Sequence, residues 1–60
     1  MLWTVRKYAD ETCVEEVRVP IFEACETIAR WTKEYMELGR FDAIYIFQED
    51  TQPVGRWIQL

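Results

Sequence analysis

The residues of this chain that could do chemistry are two cysteines, Cys13 and Cys25, and eleven Asp and Glu carboxylates. A thiol becomes a nucleophile when a nearby base takes its proton. A carboxylate pair divides acid and base roles when a cleft holds its members in different environments. The 60 residues include no histidine and no serine, which removes the usual base for a cysteine and the hydroxyl of serine hydrolases. Asp10, Glu11, Glu15 and Glu16 cluster in the sequence, but on a turn and an alternating strand, the pattern of a solvated hairpin end. Gly39 and Gly55 stand alone, so no glycine-rich loop exists to cradle a phosphate. Two cysteines without histidine supply half the ligands of a structural zinc site. We therefore expect no enzyme, no cofactor and no metal. Cys13 and Cys25 are expected to be small buried hydrophobes.

A second constellation is aromatic. Tyr8, Tyr45, Phe47 and Trp57 lie on alternating runs with Arg6 and Arg18 nearby. Rings and arginines on one sheet face are what single-stranded nucleic acids stack upon. Rings of this kind also anchor protein interfaces.

What must position these residues is a helix between two pairs of strands. Ile21 to Leu38 has the 3.6-residue period, and Gly39 supplies its left-handed stop. Pro20 suits the first helical position, and Glu23 favours the dipole in place of a side-chain cap. One side of the helix carries Glu23, Glu26, Thr27, Arg30, Lys33, Glu34 and Glu37. The other centres on Ile28, with Ile21, Cys25, Thr32 and Tyr35, flanked by Ala24, Trp31 and Leu38 and by Phe22, Ala29 and Met36. That apolar arc spans roughly 200°, twice the ~100° stripe of an ordinary surface helix.

Leu2–Ala9 alternates, with Trp3 and Val5 on one side and Thr4, Arg6 and Tyr8 on the other. After a turn at Asp10-Glu11-Thr12, Cys13–Val19 alternates again; Cys13, Val17 and Val19 share a face, with Glu15 the polar exception. Asp42–Gln48 is apolar on both faces, as a central strand is, and Arg56–Leu60 follows a turn-rich connection at 49–55 whose Pro53 points to an edge. The predicted fold is α+β, a single small domain over 1–60. Its order is β-β-α-β-β, one helix (21–38) on a four-stranded antiparallel sheet in the order 2-1-3-4. Ile44, Ile46, Ile58, Val5, Val17 and Val19 should meet the helix, leaving Tyr8, Tyr45, Phe47, Trp57, Arg6 and Arg18 on the other face.

Seven basic against eleven acidic residues give a net charge of −4. That balance disfavours non-specific binding to nucleic acid or an anionic membrane and suits a basic protein surface. No apolar run reaches the length of a membrane span. The chain begins with Met and shows no leader pattern, so a complete, soluble, cytoplasmic protein is expected. Two apolar sheet faces and an over-wide helix arc exceed what one helix on one sheet can cover. The expected function is a small non-catalytic protein-interaction module. It forms a homodimer and meets an unidentified protein partner, in the manner of an accessory or phage-type inhibitor or adaptor. Tyr8, Tyr45, Phe47 and Trp57 are the first expected interface, Trp31 and Leu38 at the helix edge the second, and the acidic helix side is a further candidate surface. The alternative is single-stranded nucleic-acid binding on the aromatic face through Arg6 and Arg18.

Overall fold

Alternation carries the chain into its first hairpin. In the computed structural model, which describes residues 1–48 and 55–60, β1 (Trp3–Ala9) and β2 (Thr12–Val19) pair antiparallel. The turn is tighter than the expected three residues, because Thr12 already pairs with Ala9. Asp10 and Glu11 carry it with φ of 50° and 67°. Positive φ at both central residues is the hairpin turn whose twist matches the flanking strands. The helix α1 (Ile21–Leu38) has the expected bounds. Pro20 stands just before it as an extended cap, one position earlier than expected, and its carbonyl accepts from the Ala24 N–H at 2.9 Å. Gly39 has φ 62° and donates its N–H to the Tyr35 carbonyl, closing the last turn. β3 (Ala43–Gln48) and β4 (Arg56–Gln59) complete a sheet in the order β2-β1-β3-β4, all neighbours antiparallel. The connection expected at 49–55, Pro53 included, lies outside the described residues except for Gly55.

The register settles the faces. Val5 pairs with Val17 on one side and Ile46 on the other, and Ile44 pairs with Ile58. These residues face α1, as expected. A bulge between Lys7 and Tyr8 sets Cys13 opposite Tyr8, which takes Cys13 off the side of Val17 and Val19. The core is Val5, Ala24, Trp31, Phe41 and Ile44, and α1 packs chiefly on β1 and β2.

Three sequence expectations need correction here. The helix is rotated from the expected setting: its buried residues are Ala24, Thr27 and Trp31, while Ile28 is half-buried and Ile21 and Cys25 are exposed. An arc twice as wide as needed leaves the rotation open. Ala24 and Thr27 are small enough to let the backbone approach the sheet, and Trp31, one turn further along the same side, joins the core with Val5, Phe41 and Ile44. Trp31, offered as an interface residue, is 2% exposed and belongs to the core; Leu38 stays exposed. Neither cysteine is buried. Cys25 follows the helix rotation, and Cys13 sits at the outer end of an edge strand.

Candidate protein-binding face

Period-two alternation sends every second side chain of the sheet away from α1, and these make the candidate face. The structure brings together all four aromatic residues expected there. Phe47 lies 5.6 Å from Tyr45, Tyr45 is 4.6 Å from Trp57, and Trp57 is 4.8 Å from Tyr8, measured between ring centroids. The tilted rings form a continuous ladder across β3, β4 and β1, in geometries that aromatic pairs favour. Trp57 is 56% exposed. Gly55 lies directly against the Tyr45 ring, where a side chain would collide. That close approach seats the ring against the β4 end of the ladder.

Arg6 stands 5.0 Å over the Phe47 ring and donates Nε–H to Glu16 at 2.5 Å. The Glu16 carboxylate, and then the Tyr8 hydroxyl, raise the Arg6 pKa above its ordinary value. Arg18, on the outer strand, is placed opposite Thr4 on this same side. The two arginines of the nucleic-acid reading therefore share the aromatic face, but Arg6 is already engaged by a carboxylate and a ring.

At the hairpin end the ladder runs into an open recess lined by Tyr8, Trp57, Asp10, Glu11, Asp42 and Gln59. The Asp42 carboxylate accepts the Asp10 N–H at 3.4 Å, tying the hairpin to the start of β3. Sequence reading took Asp10 and Glu11 as a solvated turn and missed their proximity to Trp57. The available signal was pairing order, since any sheet placing β3 beside β1 brings Asp42 to the first turn. The recess is an aromatic wall with an acidic rim, suited to a cationic side chain rather than to a phosphate.

The opposite face holds a charge the sequence reading left unplaced. Lys7 points toward α1, 6% exposed. Its Nζ donates to Glu34 at 2.8 Å and Glu15 at 3.1 Å, and lies 4.8 Å from the centroids of both Trp31 and Phe41. Burial pushes the Lys7 pKa down, but the hydrogen bonds and charges of Glu34 and Glu15 outweigh it and leave the value raised. Glu15, the polar exception on its strand face, is there to meet Lys7.

Among the described residues no three His, Cys, Asp or Glu side chains gather as a metal site, and no helix is long and apolar enough to cross a membrane. No protein-family model matches the chain, and neither a curated protein nor a solved structure does.

Proposed function

We propose that this chain is a non-catalytic protein-interaction module that docks a larger protein on the open face of its sheet and self-associates as a homodimer. The observation that carries this reading is the ladder of Phe47, Tyr45, Trp57 and Tyr8 on a face that no element of the described chain covers. Aromatic anchors supply much contact area at small cost in conformational entropy, and they dominate interfaces when a partner buries them centrally. The acidic recess beside them and the net charge of −4 favour a partner with a basic surface. A chain that binds in this way and does no chemistry acts as an inhibitor or adaptor of what it binds.

Single-stranded nucleic acid is the weaker reading. It needs arginines free to meet phosphates, and Arg6 is held by Glu16 beside a carboxylate-lined recess. The test is affinity capture from the host with the wild type and with Phe47→Asp, alongside titration with a single-stranded oligonucleotide. We expect a protein that the wild type retains and Phe47→Asp releases, with retention weakened by salt. Salt-sensitive oligonucleotide binding lost on Arg6→Ala would replace this reading with the other.

A further inference from the structure

The rotation of α1 leaves half of its apolar arc outside the core. Ile21, Phe22, Cys25, Ala29 and Met36 are all exposed, with Thr32 half-buried among them. Phe22 is 74% and Met36 79% exposed. Positions 22, 25, 29, 32 and 36 follow the alternating three- and four-residue spacing that keeps one seam of a helix against another helix. An apolar seam along a helix whose opposite side already serves the core marks a contact surface.

We propose that this seam docks against the same seam of a second copy, antiparallel, about a two-fold axis passing at Ala29. Side-chain size supports that centre. The small Cys25 and Ala29 occupy the middle and allow close approach, while the bulky Phe22 and Met36 stand toward the ends. With the axis at Ala29, Phe22 of each copy meets Met36 of the other, and Cys25 meets Thr32. A thioether against an aromatic ring is a favourable contact.

Charge fixes the direction. One flank of the seam carries Glu26 and Lys33, both exposed. The other carries Ile21, Ile28 and Tyr35. In an antiparallel pair each flank meets its own kind, so Glu26 of each copy faces Lys33 of the other, and Ile28 faces Ile28. In a parallel pair the flanks cross, and both charges would face isoleucines with no partner. A two-fold contact of this type is self-complementary and closes at two copies. A single pair of helices of about 27 Å buries less than a standard interface, so the dimer belongs in the micromolar range or weaker. It leaves the aromatic sheet faces of both copies open. The inference rests on the self-association part of the reading above and assigns it to the helix instead of the sheet.

The test is analytical ultracentrifugation from low micromolar to millimolar protein, with circular dichroism to verify folding. We expect the wild type to dimerise, and Phe22→Asp and Met36→Asp to weaken the dimer at least about tenfold while keeping the helix signal, since both positions are exposed. Glu26→Lys should weaken it as well, and adding Lys33→Glu should restore it, a recovery that misfolding cannot mimic. In a Cys13→Ser, Cys25→Ser background, oxidation of Ala29→Cys should give a disulfide-linked dimer, whereas Glu37→Cys on the outer side should not. A dimer that resists Phe22→Asp but dissociates on Phe47→Asp overturns the helix contact and returns self-association to the sheet. A wild type monomeric at millimolar concentration overturns self-association altogether and leaves partner docking to its own capture experiment. Disulfide linkage through Cys25 in a Cys13→Ser background indicates the parallel register and also overturns the proposal.

Discussion

Arg6 and Lys7 are neighbours in sequence and stand on opposite faces of one sheet, each with the same kind of company. Arg6 meets Glu16 and the Phe47 ring on the open face. Lys7 meets Glu15, Glu34 and the rings of Trp31 and Phe41 under the helix. The register places Arg6 opposite Glu16 and Lys7 opposite Glu15, so strand pairing alone sets up both ion pairs. What differs is water. The Arg6 and Glu16 side chains are 36% and 43% exposed, against 7% for Lys7. A cation, a carboxylate and a ring form a structural joint when buried, and on the open side a solvated patch.

If the covered face carries the stability, its central ring must be the costliest loss. Trp31→Ala removes a core side chain and uncovers one wall around the Lys7 ammonium. We expect a loss of about 3–5 kcal/mol, most of what a 60-residue domain possesses. Urea unfolding followed by far-UV circular dichroism measures it. A variant within about 1 kcal/mol of the wild type would break the distinction between the faces.

Lys7 sharpens the comparison through pH. Glu15 and Glu34 keep much of their side chains in water, at 50% and 35% exposure, so breaking the pairs leaves no fully buried anion. Lys7→Ala should cost about 1–3 kcal/mol, less than the loss from a fully buried pair, and Lys7→Met, which keeps the stem under the rings, about 1 kcal/mol or less. The Lys7 pKa is raised in the folded protein. Its electrostatic contribution is therefore fully present below the ordinary lysine value, about 10.4, and is lost as pH rises through the higher folded value. The stability difference between wild type and Lys7→Met should shift against the wild type across that alkaline window. Arg6, protonated throughout, should show no such window. A difference that stays flat to the alkaline limit would mean that Lys7 contributes by packing alone.

The strands, the helix bounds, the strand order and the aromatic face were all legible in the sequence, because each rests on a local period or on the rule that close neighbours pair. The period of two in β1 and β3 fixed which side chains leave the helix. The Gly39 stop fixed where the helix ends. The rotation of α1 was not legible. Its wide arc fits several settings, and the one adopted buries Ala24, Thr27 and Trp31, with Trp31 joining Val5, Phe41 and Ile44 in the core. Lys7 was overlooked for a related reason: polarity says where a charge is cheapest, and only long-range pairing to Glu34 could bury it. The acidic recess joins Asp10, Asp42 and Trp57 from three parts of the chain, and no window of sequence contains it.

The smallest effect tests the open face most directly. If Arg6 and Glu16 form a solvated patch, their coupling in a double-mutant cycle of Arg6→Ala and Glu16→Ala should be about 0.5 kcal/mol. Their 2.5 Å contact and the Phe47 ring below them would suggest more on geometry alone. Exposure decides against it, because water competes for both groups and each long side chain must give up freedom to hold the pair. Raising the salt concentration should shrink the coupling further, since the pair lies at the surface. The matching cycle of Lys7→Ala and Glu34→Ala should give a larger value that salt changes less, as the Lys7 side chain is only 7% exposed. Equal couplings and equal salt dependence at the two sites would show that burial does not separate the faces energetically. In that case the aromatic ladder would lose its distinction as the side proposed for a partner.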